Sequence, residues 1–136
     1  MRSIFESASP TFKARFMAMA GMTDEARFDV FARSLDLRSI AGGIDRPFLA
    51  IAGEDDELSP LEHTIDLLRR VTGPAAVVVY RGERHSIGGA PSARLGPNHI
   101  DLAADWLAAC FAGRPVASTF TTVEPDGSVR TGATPN

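Results

Sequence analysis

Residues 47–60 read PFLAIAGEDDELSP, and the fold follows from how this stretch is taken. From Pro47 to Ala52 it is apolar at every position instead of alternating, the pattern of a strand covered on both faces within a parallel sheet. An acidic loop follows, and then Ser59, Pro60 and Glu62 have the spacing of a capping box that starts a helix. Leu61, Ile65 and Leu68 share one face of that helix, which should end near Gly73. Residues 75–80, AAVVVY, form a second apolar run rich in β-branched valine, hence a second strand. A strand, a helix and a strand of these lengths predict a right-handed parallel βαβ unit. Its functional residues belong in the loops at the carboxyl ends of the strands, here 53–59 and 81–96.

Upstream, Ser9 and Pro10 read as N-cap and first residue of a helix that runs to Ala20 and closes at Gly21. Thr23 is placed to cap a second helix with Asp24 and Glu25 in its first turn and Phe28, Phe31, Ala32 and Leu35 at helical spacing. The pattern weakens from Leu35 to Asp45. Downstream, a last helix spans about residues 98–112, with Ile100, Ala103, Ala104, Leu107, Cys110 and Phe111 as its apolar stripe. Beyond Pro115 the composition turns to Thr, Ser, Gly and Pro. Residues 118–123 and 128–131 flank Glu124-Pro125-Asp126-Gly127, which gives either a marginal hairpin or a loose tail. The organisation is thus a helical lead-in (1–44) and a βαβα segment (45–113), together a partial domain over 1–115, followed by 116–136 as tail or hairpin.

Composition excludes several classes of function. The 136 residues carry a net charge of −3 with both signs interspersed, so no basic stripe is present for nucleic acid and no polybasic patch for a membrane surface. No stretch approaches the roughly 18 consecutive apolar residues of a membrane span. The apolar run after Lys13 and Arg15 breaks at Gly21, so a secretory leader is not expected. One cysteine, Cys110, fits a cytoplasmic setting without an internal disulfide.

The two strand-end loops carry the chemistry. The first is Gly53-Glu54-Asp55-Asp56-Glu57-Leu58-Ser59-Pro60 and the second Arg81-Gly82-Glu83-Arg84-His85-Ser86-Ile87-Gly88-Gly89. A Gly-Glu-x-Asp-x-x-x-Pro loop, then a capped helix, a valine-rich strand and a glycine-flanked histidine, resembles the last catalytic loops of the α/β-hydrolases. The resemblance covers roughly residues 10–113 and rests on Gly53, Glu54, Asp56, Pro60 and His85, with Trp106 and Leu107 similar to the final helix. The lead-in from Pro10 to Ile44 is similar to the segment before the acid strand in esterase-like members, the group of the fermentation-respiration switch protein and dihydroxypseudooxynicotine hydrolase.

The resemblance implies the carboxy-terminal part of an α/β-hydrolase fold, a parallel βαβ unit with flanking helices, with Asp56 as triad acid and His85 as triad base. In such a triad the histidine takes the nucleophile's proton, and the carboxylate fixes its tautomer and stabilises its cation. Chain order in this fold is serine, acid, histidine, so the nucleophile should precede Asp56. No Gly-x-Ser-x-Gly elbow occurs in the sequence, and the oxyanion hole that depends on it is missing as well.

Taken singly, Asp56 is an ordinary hydrated loop carboxylate and His85 a polar loop residue; their joint occurrence in successive strand-end loops is what carries specificity. Asp55 is the rival acid if the register slips by one. His63 and His99 read as solvent-facing residues near helix starts. His63 and Asp66 lack further ligands at suitable spacing, so neither a metal nor any other cofactor is expected. Cys110 reads as a small core residue, Ser86 is too close to His85 in the chain to face it, and the acids 54–57 read as hydrated.

Two functions remain open. One is an ester-type hydrolase fragment acting on a small ester-like substrate once a nucleophile-bearing part completes it. The other is a non-catalytic, truncated hydrolase-fold protein serving as an oligomeric or binding module. Two geometric expectations follow: Asp56 and His85 should lie about 3 Å apart, and the unpaired edge of a two-stranded sheet should favour a homo-oligomer, first of all a homodimer.

Overall fold

The computed structural model describes residues 10–133 and divides the chain into two units, one reaching to Leu37 and the other starting at Arg38. The first holds α1, Pro10–Met19, and α2, Glu25–Ser34. Lys13 joins them, with Nζ 2.6 Å from Glu25 Oε1 and 2.7 Å from Asp29 Oδ1. Asp24, not Thr23, caps α2: its Oδ1 accepts the Arg27 amide at 3.0 Å. The cap falls one residue later than expected because the first helical residue is Glu25, and a carboxylate there also meets the positive end of the helix. Ser9, the expected cap of α1, lies outside the described residues. Phe28 is buried, whereas Leu35, expected on the same face, is exposed.

The second unit opens with two 3₁₀ turns, Leu37–Ser39 (which begins at its boundary) and Ala41–Gly43, in the stretch where periodicity faded. Then come β1, Phe48–Gly53; α3, Leu61–Leu68; β2, Ala75–Tyr80; α4, Pro91–Leu95; α5, His99–Phe111; β3, Thr119–Val123; and β4, Val129–Gly132. They form a mixed α/β arrangement around a four-stranded sheet of order β1-β2-β3-β4. β1 pairs parallel with β2 in the register Phe48 to Ala75 through Gly53 to Tyr80, β3 runs parallel on the other side of β2, and β4 is antiparallel to β3. The Pro-Asp-Gly segment is the turn of a β3–β4 hairpin joined to the sheet, with Gly127 at φ +81°.

Every residue of β2 is buried, which explains the unbroken apolar run. On one face Ala75, Val77 and Val79 pack with Leu68, Leu61, Val71 and Phe120; on the other Val78, Tyr80 and Val123 pack with Ile87, Ala93 and Leu102. At about 1.5–3 kcal/mol for each fully buried aliphatic side chain, this strand is the main source of hydrophobic stabilisation in the unit. Tyr80 spends its hydroxyl on the Pro97 carbonyl at 2.7 Å, so no buried polar group is wasted there.

Two local expectations are corrected. Pro60, without a side-chain cap bond, stands at the N-cap of α3, and no Ser59–Glu62 capping box forms. The Ser59 and Leu58 amides turn instead to Asp56. The stripe assigned to α5 points partly outward, since Ile100, Leu107 and Phe111 are exposed and Leu102 packs on the core. The helix is apolar on more than one side, with Leu102, Ala103, Trp106 and Ala109 forming a second row, so spacing alone left its rotation undetermined. The Asn98 cap, accepting from Ile100 and Asp101, and the Tyr80–Pro97 bond set its start. No helix among the described residues is long and apolar enough to cross a membrane.

Candidate functional site

The loops after β1 and β2 leave the same end of adjacent parallel strands and are bonded to each other along their backbones. The Glu54 amide donates to the Tyr80 carbonyl at 3.0 Å and the Asp55 amide to the Glu83 carbonyl at 2.8 Å. Gly53 makes this approach feasible: a Cβ there would stand 2.3 Å from the Arg84 carbonyl oxygen and 2.4 Å from that of Glu83. Glu54 then reaches across to the second loop, pairing with the Arg81 guanidinium and accepting the Gly82 amide at 3.2 Å.

This crossing brings Asp56 and His85 together. His85 Nδ1 lies 3.0 Å from Asp56 Oδ2 and 3.3 Å from Oδ1, although the two residues are 29 positions apart in the chain. Asp56 Oδ1 also accepts the Leu58 and Ser59 amides at 2.8 Å each. Burial pushes the Asp56 carboxyl up, but the Ser59 amide, the His85 ring and the Leu58 amide together outweigh it and hold the group below its ordinary 3.8. It is therefore an ionised acceptor at neutral pH. The Asp56 side chain is 7% exposed and that of His85 56%, so a fixed carboxylate backs an accessible imidazole. With Nδ1 committed to Asp56, Nε2 is the nitrogen left to exchange protons with anything arriving from solvent.

The histidine loop has its own internal brace, which sequence reasoning missed. Glu83 is 2% exposed, and its Oε1 accepts the Gly88 amide at 2.9 Å and the Ala90 amide at 2.6 Å. Its carboxylate thus ties down the segment after His85 while its own carbonyl holds the acid loop. The only sequence signal was an acid two residues before the histidine, followed by a glycine pair, and that pattern is common in hydrated loops. The fully buried Ser92 secures the start of the same loop, its Oγ donating to the Arg81 carbonyl at 2.7 Å.

The remaining candidates fall elsewhere. Asp55, the alternative acid, is exposed and contributes its backbone rather than its carboxylate. Ser86 is exposed beside His85. His63 and His99, expected to face solvent, are both half-buried, and the His99 ring stands edge-on to Tyr80 at 6.4 Å. Cys110 is half-buried on α5. Among the described residues no group of three or more His, Cys, Asp or Glu side chains is arranged to hold a metal ion.

Set against protein-family models, curated proteins and solved structures, the chain matches none of them. What the site can do chemically therefore rests on its own geometry. An ionised, immobilised carboxylate on Nδ1 of an accessible imidazole is equipped to hold one tautomer and to stabilise the cation formed when Nε2 accepts a proton.

Proposed function

We propose that Asp56 and His85 are the acid and base of an α/β-hydrolase-type, esterase-like centre, whose nucleophile comes from a polypeptide segment outside this sequence. The observation that carries this reading is the 3.0 Å contact between Nδ1 and a carboxylate fixed by two backbone amides, made by successive strand-end loops. In this role Asp56 keeps the proton on Nδ1, and Nε2 removes the proton of a serine hydroxyl as it attacks a small ester-like substrate, then returns it to the leaving group. The chain alone lacks the serine elbow, and this favours a second reading in which it is a non-catalytic binding or oligomeric module of the same fold.

The test has two arms. The chain alone should show neither ester hydrolysis above background nor stoichiometric labelling by a fluorophosphonate, since the missing nucleophile and oxyanion donors supply most of the rate. A longer product of the same locus that carries Gly-x-Ser-x-Gly should hydrolyse p-nitrophenyl acetate and lose at least about a hundredfold with His85→Ala. Full activity of that variant overturns the proposal, and absence of any such longer product leaves the non-catalytic reading standing.

A further inference from the structure

β1 is the terminal strand of the sheet. The Phe48 and Glu54 amides donate toward β2, to the Pro74 and Tyr80 carbonyls at 2.8 and 3.0 Å. Because backbone groups alternate in direction along a strand, Leu49 and Ile51 turn their N–H and C=O groups to the other side, where no strand of this sheet lies among the described residues. The run FLAIAG contains no charge and no proline to discourage pairing. The opposite edge differs, because β4 is exposed at every position and carries Arg130.

Charge at the two ends of β1 says what would fit. Just before the strand, the Arg46 side chain is 88% exposed and makes a 3.4 Å ion-pair contact with the neighbouring Asp45, itself 74% exposed. Just after the strand come Glu54 and the exposed Asp55, so an antiparallel copy would bring its acidic end alongside Arg46.

We propose that β1 pairs antiparallel with β1 of a second copy of this chain about a two-fold axis near Ala50, fusing the two sheets into one. In this register Leu49 faces Ile51 of the second copy and Ile51 faces its Leu49, each donating and accepting a backbone hydrogen bond. Arg46 lies across from Glu54 and beside Asp55 of the second copy at both ends of the interface, as isologous symmetry requires. Both faces of the joined strands are apolar, with Phe48 and Ala50 on one side and Leu49 and Ile51 on the other, so pairing also extends each hydrophobic layer.

Sedimentation equilibrium on the full chain tests this, with amide hydrogen exchange at low and high concentration. The expected result is a dimer in which the Leu49 and Ile51 amides are protected only when dimeric. Arg46→Glu should weaken association about tenfold, and Arg46→Glu combined with Asp55→Arg should recover most of it. Neither side chain takes part in the Asp56–His85 pair, so a failure here leaves the proposed function untouched. A chain that stays monomeric at high micromolar concentration overturns the inference, as does a dimer whose Leu49 and Ile51 amides exchange freely. So does a dimer indifferent to both substitutions.

Discussion

Asp56 is held from two directions: Oδ2 approaches Nδ1 of His85 to 3.0 Å, while Oδ1, 3.3 Å from the same nitrogen, accepts the Leu58 and Ser59 amides. A carboxylate pinned from behind in this way cannot follow the imidazole if the ring turns, so the pair selects one ring orientation and one tautomer. Nitrogen chemical shifts of neutral His85 should show the proton on Nδ1. Asp56→Asn should redistribute it toward Nε2, whereas Asp55→Asn should leave it in place. An unchanged tautomer in the Asp56 variant would mean that the contact does not orient the ring.

Gly53 offers a test of how tightly the loops are crossed. Gly53→Ala drives a methyl group into two carbonyl oxygens at under 2.5 Å, and the backbone has to shift. A loss of about 1–3 kcal/mol or more is expected in urea unfolding. Gly43→Ala is the control, since a Cβ there meets nothing within 4 Å; its stability should be unchanged or slightly increased.

Glu83 should matter more than its distance from the Asp56–His85 contact suggests. Glu83→Ala leaves the Gly88 and Ala90 amides without their acceptor, at a cost of about 1–3 kcal/mol, and should speed hydrogen exchange at both. Both bonds go to Oε1, which glutamine retains, so Glu83→Gln should keep most of the protection and the His85 tautomer. Equal damage from the two substitutions would argue against the brace.

Stability should fall at both ends of the pH scale for identifiable reasons. Burial raises the Tyr80 phenol above its ordinary 10.0, so its contribution is complete below that value and is lost as pH rises through the raised folded value. Because the chain has one tyrosine, tyrosinate absorbance should appear together with alkaline unfolding. Asp56 acts in the opposite sense. Its folded value lies below 3.8, so its contribution is present above 3.8 and disappears as pH falls through the lowered value. Circular dichroism should show that Asp56→Asn flattens the acid limb and Tyr80→Phe the alkaline one.

The strands and the two loops were legible because one physical fact governs both: a strand buried on two faces must be apolar throughout, and polar chemistry can begin only where it ends. Residues 75–80, buried throughout, show this directly, and 47–52, partly buried against both core layers, follow the same pattern; the acid and the histidine come just after them. The rotation of α5 was not legible, since Ile100 and Leu107 are as apolar as Leu102 and Trp106. Nor was the Ser59 cap, whose amide is claimed by Asp56 through a contact that helix spacing does not encode. Glu83 escaped for a related reason, as a buried carboxylate satisfied by backbone amides looks in sequence like any hydrated loop acid. The hairpin stayed open between two readings because its pairing partner, β2, lies some forty residues upstream, as the Ala75 amide donating to the Ser118 hydroxyl 43 positions away illustrates.

That long separation sets an order of events during synthesis on the ribosome. β2 can find β1 as soon as α3 has been made, but its second neighbour emerges only after the whole histidine loop and α5. Until Thr119–Val123 leaves the exit tunnel, the most apolar strand of the nascent chain has one side open, and the Arg81 amide lacks the Val123 carbonyl it later uses at 3.0 Å. Within this sequence β3 therefore completes the pairing of β2, and until it does the exposed side of that strand is open to pairing with another chain.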